Sequence, residues 1–252
     1  MRFTYLFILL NIFLFLGCNQ ERQHLLRIEG SKIEITDSLK INAEIDAFIK
    51  PFRDHINKDL DSVLAYSADT YSKSNGNLNT AIGNFIADAV YSESNPVFNK
   101  RTGKNIDMVI LNHGGIRSII PKGDLTPRTA YQLMPFENSI VVVALKGYQI
   151  DNLTNYLKTR KRAHPISKLK LVLDAEFNIV ETTIKGEKVE ANKTYYVATN
   201  DYLYNNGDNM SFFKPNDSLY TLNYKVRNAL IDNFKRVDTI NPVIDDRFIQ
   251  LN

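Results

Sequence analysis

The chain of 252 residues holds one cysteine, Cys18, and no tryptophan. A single cysteine excludes a disulfide framework and any Cys-based zinc site. Four histidines leave little for a metal cluster, and none of them falls in an Asp-x-His or His-x-His pair. Asn112-His113 resembles a fragment of a metallophosphatase ligand motif, but Gly114 stands where that motif carries Glu. A two-metal hydrolase site is therefore not expected. Gly-x-Ser-x-Gly, Gly-x-x-x-x-Gly-Lys-Ser/Thr and Gly-x-Gly-x-x-Gly are all missing, which removes the usual nucleophile elbow and phosphate cradles. Charge of one sign is also lacking. The net value is +3 with both signs interspersed, so binding to a nucleic-acid polymer is not favoured. No apolar run is long enough to span a bilayer, which takes about 20 residues.

What is present is ordinary globular composition, 44% hydrophobic and 23% charged, with 14 Phe and 13 Tyr. A chain of this length buries roughly 70% of its unfolded surface without staples. Arg2 precedes the apolar run Phe3–Leu16, and Phe15-Leu16-Gly17-Cys18 follows. This reads as a signal peptide over residues 1–17 with a lipobox-like site, Cys18 being the lipidated residue. The expected location is the bacterial cell envelope, lipid-anchored on the periplasmic face of the outer membrane. Residues 18–24 form a polar tether, and residues 25–252 a single domain.

Along that domain, Leu25–Thr36 alternates around Gly30-Ser31 as a small hairpin would. Ile41, Ile45, Phe48, Ile49, Phe52 and Ile56 recur at helical spacing, with Pro51 expected to kink or restart the helix. A second helix is predicted over Thr80–Tyr91, and others over Thr129–Leu133, Gln149–Leu157 and Lys225–Phe234. Strands are predicted at Ile106–Leu111, Ser139–Leu145, Leu169–Leu173, Ile179–Ile184 and Tyr195–Thr199. Helices interleaved with strands make a mixed α/β (α+β) domain, a mixed β-sheet flanked by helices.

Two loops carry unusual chemistry. Asn112-His113-Gly114-Gly115-Ile116-Arg117 follows an apolar strand. Its glycines permit close backbone approach to a ligand, and Arg117 offers a planar donor fork suited to phosphate or carboxylate. The second loop, Asn200 to Asp208, pairs the aromatic Tyr202 with a carboxylate six residues later. A ring stacks a base, and a carboxylate accepts hydrogen bonds from a vicinal diol. Together they suggest a nucleoside or sugar-nucleotide site.

These segments carry a resemblance. Ile82-Gly83-Asn84-Phe85-Ile86-Ala87-Asp88-Ala89, Asn112–Arg117, Met134-Pro135-Phe136-Glu137-Asn138, Ile166-Ser167-Lys168-Leu169 and Tyr196–Leu203 with Gly207-Asp208 resemble, in order and spacing, the C-terminal substrate-binding domain of the 5'-nucleotidase and UDP-sugar hydrolase family. The resemblance covers roughly residues 60–235. It implies a base held between Phe136 and Tyr202, a ribose read by Asp208, a nucleoside contact from Asn112 beside Gly114 and Gly115, and a phosphate contact from Arg117. It assigns this chain no catalytic residue and no metal. The family keeps two divalent metals in a separate metallophosphatase domain, so those metals and the catalysis are expected only in a partner chain. Departures from the family pattern fall at Leu78 and Asn79, where Arg and Glu are usual, and at Lys168, where Gly is usual. Lys73 is a candidate to replace the missing arginine.

Three functions follow as expectations. The chain is a nucleotide-recognition subunit of a split 5'-nucleotidase, inactive alone; or a stand-alone nucleoside- or nucleotide-binding lipoprotein; or a degenerate interaction module. Its partners would be a nucleotide or nucleoside, a separate metallophosphatase chain, and the membrane through the lipid.

Overall fold

The computed structural model describes residues 25–251. The signal peptide and Cys18 lie outside the described residues. The chain divides into two units, one ending at Phe48 and a larger one from Ile49 onward. In the first, the hairpin expected over Leu25–Thr36 is not formed. Leu25, Leu26, Ile28, Ile33 and Ile35 are each 80% or more exposed. Two short strands with no third strand or helix over their apolar side are at best marginal in water, so alternation alone does not make a sheet.

Helix α1 (Ala43–Leu60) starts where the Asn42 side chain accepts the backbone N–H groups of Glu44 and Ile45. It runs through Pro51 as one helix, without the expected restart. No residue of α1 is buried, so the carbonyl that Pro51 leaves without a donor is open to water.

The larger unit contains, in order, β1 (Ala65–Ser67), α2 (Ala81–Thr102), β2 (Met108–Ile110), β3 (Gly123–Leu125), α3 (Pro127–Leu133), β4 (Ser139–Lys146) and α4 (Gly147–Arg160). Then come β5 (Ile166–Ser167), β6 (Leu169–Leu173), β7 (Ile179–Ile184), β8 (Glu187–Lys188), β9 (Thr194–Asn200) and α5 (Asp201–Tyr204). Last are β10 (Ser218–Lys225), α6 (Val226–Arg236), β11 (Thr239–Ile240) and β12 (Phe248–Gln250). The mixed α/β architecture holds, with three sheets rather than one. The central sheet has five strands in the order β10-β4-β9-β2-β5; the others are β11-β1-β3 and β12-β6-β7-β8.

The central sheet is covered on both faces, and the two-residue period of its strands explains how. Ile140 and Val142 join one core with Ile82, Ile86 and Val90 of α2 and Leu230 and Phe234 of α6. Val141, Val143 and Leu145 point the other way, into a second core with Ile150, Leu153 and Leu157 of α4 and with β6. Each fully buried aliphatic side chain contributes on the order of 1.5–3 kcal/mol.

Helix α2 is longer than expected. It continues past Tyr91 through Pro96: Ser94 is buried and returns its hydroxyl to the Val90 carbonyl, and Phe98 is buried one turn on. Thr80 caps the start through Gly83 N–H, and Gly103 at φ +70° ends it.

The register sets the geometry of one sheet edge. β2 and β9 are parallel neighbours, with Val109 opposite Ala198. β4 runs antiparallel to β9, with Ile140 opposite Asn200. The chain leaving β2, the chain leaving β9 and the chain entering β4 therefore meet at the same end of the sheet. Ligands of open α/β sheets bind at this carboxyl end of parallel strands.

Candidate functional site

Those three segments build one cleft of about 270 Å³. It is lined by Asn112, Gly114, Gly115 and Arg117 after β2, by Phe136 and Asn138 before β4, and by Tyr202 and Asp208 after β9. All seven residues singled out from the sequence are there; Asn138 is the single addition.

Asp208 sits at the centre, at φ +52°, a left-handed conformation that Asp tolerates better than most residues. Its Oδ1 accepts the Tyr202 hydroxyl at 3.1 Å and its Oδ2 accepts the Asn112 amide at 3.0 Å. Its backbone carbonyl accepts the Tyr156 hydroxyl at 2.9 Å and Arg160 Nη2 at 3.4 Å. A carboxylate has about four acceptor positions, so two remain for a ligand. Asn112, itself buried, is the strut between the two loops.

Two glycines are required by close approach. A Cβ on Gly115 would meet Asn112 Oδ1 at 2.9 Å, and one on Gly207 would lie 2.4 Å from the Tyr202 ring. Tyr202 therefore rests on bare backbone. Phe136 and Tyr202 are 41% and 46% exposed, which for two rings on one cleft marks surface left uncovered. The Arg117 guanidinium lies 5.5 Å from the Phe136 ring centre, with Nη1 3.4 Å from the Gly114 carbonyl.

Phe136 is carried by a residue that sequence reading missed. Arg227 of α6 is buried and donates to the Pro135 and Phe136 carbonyls, pairs with Glu137 and lies 4.0 Å from the Tyr131 ring centre. The hydrogen bond from Arg227, reinforced by its charge, holds the Glu137 carboxyl below its ordinary range. No local pattern points to Arg227, which reaches the loop across 90 residues of chain.

The departures at Leu78 and Asn79 are structural. Leu78 is buried in the second core. Asn79 is buried and donates to the Asp245 and Phe248 carbonyls while accepting from Asn84. Lys168 adopts φ +64° and stands 5.0 Å from the Tyr91 ring centre, away from the cleft lining. Its left-handed backbone accounts for a position that favours glycine. Lys73 donates to the Ile116 carbonyl at 2.7 Å, which puts its charge beside the Asn112–Arg117 loop.

His113 and His164 adjoin the cleft without lining it. His164 is buried, and burial pulls its pKa down to about 4; its Nδ1 accepts the His113 backbone N–H at 3.4 Å. His113 is also lowered, first by burial and then by the charges of Lys73 and Arg162, although the Ala163 carbonyl opposes the shift. Both rings are neutral at pH 7. Among the described residues no three His, Cys, Asp or Glu side chains group to hold a metal ion, and no helix is long and apolar enough to cross a membrane.

Comparison with known proteins returns a consistent set. The model of the 5'-nucleotidase C-terminal domain matches residues 58–215. An apyrase of Tabanus yao is 23% identical over 243 residues, covering 88% of this chain and 43% of that protein. The trifunctional nucleotide phosphoesterase YfkN of Bacillus subtilis is 28% identical over 183 residues, covering 67% of this chain and 12% of that protein. Among solved structures, a 5'-nucleotidase precursor from Thermus thermophilus shares the fold with a TM-score of 0.68, at 23% identity, over 82% of this chain and 42% of that one. The Haemophilus influenzae NAD nucleotidase does so with a TM-score of 0.63, at 17% identity, over 84% and 42%. This chain spans less than half the length of each of these proteins.

Proposed function

The chain belongs to the family of 5'-nucleotidase C-terminal domains, and from that premise we propose that it is the nucleotide-recognition half of a split 5'-nucleotidase, working with a metallophosphatase chain supplied in trans. The observation that carries this reading is the convergence of three distant segments on a single cleft with an aromatic ring on each of two of them and a buttressed carboxylate. In this reading Phe136 and Tyr202 stack the base, at about 1–3 kcal/mol per ring. Asp208 accepts the ribose hydroxyls on its two remaining positions, and Arg117 pairs with the phosphate. Asn112 fixes the carboxylate. The described residues do not fit a metal, so no step is routed through one on this chain. Two divalent metals in the partner would activate water, and the work of this chain is to hold the 5'-phosphorus in place. The Cys18 lipid would keep the domain at the periplasmic face of the outer membrane.

A second reading, a stand-alone nucleoside-binding lipoprotein, draws support from Leu78. An apolar core side chain occupies the place of a family arginine, which leaves fewer contacts for phosphate.

Calorimetric titration of the purified chain with adenosine, AMP and UDP-glucose tests the site. Saturable binding of at least one is expected. Asp208→Asn should weaken adenosine about 5- to 10-fold and 2'-deoxyadenosine less. Equal losses would remove the ribose role, and no binding up to millimolar ligand would remove the reading.

A further inference from the structure

In the nucleoside reading of the cleft, Asp208 accepts ribose hydroxyls on two open positions, and the direction of those positions follows the turn that carries it. That turn does not secure itself. Asn206, Asp208 and Asn209 all adopt left-handed backbone, at φ +71°, +52° and +61°. Such a run keeps its shape only where its surroundings hold it. The hold comes from α4 and the turn after it. The Tyr156 hydroxyl donates to the Asp208 carbonyl at 2.9 Å. Arg160 Nη2 adds a longer contact of 3.4 Å, and its guanidinium lies over the Tyr156 ring, 5.2 Å from the centre. Tyr156 packs against the second core and meets two further rings edge-on, Phe212 at 5.5 Å and His164 at 5.6 Å between centres. His164 has a second contact. Its Nδ1 accepts the His113 backbone N–H at 3.4 Å, and the His113 ring places its own Nδ1 3.3 Å from the Ala163 carbonyl. This fastens the loop that carries Asn112, and Asn112 donates to Asp208 Oδ2. One buried imidazole therefore stands behind both supports of Asp208: His113 and Asn112 on the way to its carboxylate, Tyr156 on the way to its backbone. A phenyl ring would fill the same space without the cost of burying polar nitrogens, so the acceptor at Nδ1 is what distinguishes His164 from a packing residue.

We propose that His164 and Tyr156 are positioning residues of this site: together they aim the Asp208 carboxylate at the ribose diol, and so set the preference for ribonucleosides over 2'-deoxyribonucleosides. The proposal rests on the nucleoside reading of the cleft. Neither residue lines that cleft, so each acts through Asp208. Hydrogen bonds weaken steeply with misalignment, whereas ring stacking accepts a range of offsets. A carboxylate turned away from the diol therefore gives up the second hydroxyl and leaves the base between Phe136 and Tyr202.

The test is calorimetric titration of the full chain and its variants with adenosine and 2'-deoxyadenosine at pH 7. The unmodified chain should prefer adenosine about 5- to 10-fold. Tyr156→Phe removes the hydroxyl and keeps the ring. His164→Phe keeps a ring against Tyr156 and removes the acceptor. In each, the preference should fall to about two-fold or less, with the affinity for 2'-deoxyadenosine unchanged. His164→Asn offers a side-chain oxygen in place of Nδ1 and should recover more of the preference than His164→Phe. A preference left intact in Tyr156→Phe or in His164→Phe overturns the proposal. Equal losses for both nucleosides also overturn it, because a merely structural role would weaken them alike. Should His164→Phe fail to fold, Tyr156→Phe decides by the same criterion. An unmodified chain that binds both nucleosides equally removes the ribose role of Asp208 and the proposal with it, and one that binds neither removes the reading of the cleft; a preference that survives the substitutions removes the proposal alone.

Discussion

The cleft around Asp208 and the cluster around Arg247 are made of the same groups, and they differ in what is left over. Every guanidinium nitrogen of Arg247 is engaged, by Asp88, Asp245 and the Ile166 carbonyl. Ser167 donates to Asp88 at 2.5 Å, Asn84 donates to the Val243 carbonyl, and Asn79 donates to the Asp245 and Phe248 carbonyls of the tail over residues 243–248. Burial pushes the Asp245 carboxyl up, and the Arg247 hydrogen bonds outweigh it and hold it below the ordinary range. Around Asp208 the carboxylate keeps two acceptor positions, two rings stay uncovered, and Arg117 meets, among the described residues, a ring face and one long carbonyl contact. A polar network closed on itself holds a fold together, whereas one with partners to spare is fitted to receive something. The regular motif Ile82–Ala89 belongs to the closed kind: Asn84 and Asp88 clasp the tail and do not line the cleft.

Breaking the closed cluster should give the largest effect. Asp88→Ala removes three hydrogen bonds to charged groups and should cost about 2–3 kcal/mol of stability, read from urea denaturation, with nucleoside affinity unchanged. A matching loss of affinity would merge the two regions into one. Next comes the open cluster. Phe136→Ala should weaken nucleoside binding about 30-fold, near 2 kcal/mol, while shifting stability by less than about 0.5 kcal/mol because the ring is exposed. Stability loss without affinity loss would turn the ring into a fold element. The smallest effect is expected at His164, which is buried beneath the cleft loop. Its pKa is lowered to about 4 in the fold, against about 6.5 in an unfolded chain. The unfolded chain therefore binds the proton first, and stability is full above pH 6.5 and falls as the pH drops toward 4. Between pH 7 and pH 5 this loss should be about 1–2 kcal/mol. His164→Gln should flatten that part of the profile; an unchanged slope would assign it to other groups.

Much of this was legible in the sequence because it is local. The apolar run Ser139–Leu145 and the glycine pair after Leu111 state their own conformation, the loops Asn112–Arg117 and Asn200–Asp208 carry recognisable chemistry, and Phe136 came from the family resemblance alone. What was not legible depends on distant partners. Nothing near Arg227 announces that it will carry Phe136, and nothing near Asn79 announces the Phe248 carbonyl. The hairpin at Leu25–Thr36 failed for the complementary reason, since its pattern was right and its cover was missing. The helix expected to end at Tyr91 runs on to Thr102, because Ser94 and Phe98 are buried against distant elements that its own sequence does not show.

The tail also ties the ends of the larger unit together. Asn84 donates to the Val243 carbonyl, and Asp88 accepts from Arg247, each across 159 residues of chain. The protein partners of Asn79, Asn84 and Asp88 in this cluster come largely from the tail, so these polar groups depend on the tail for satisfaction away from water. β12 of that tail also pairs with β6, so a chain lacking the tail would leave β6 as an open sheet edge.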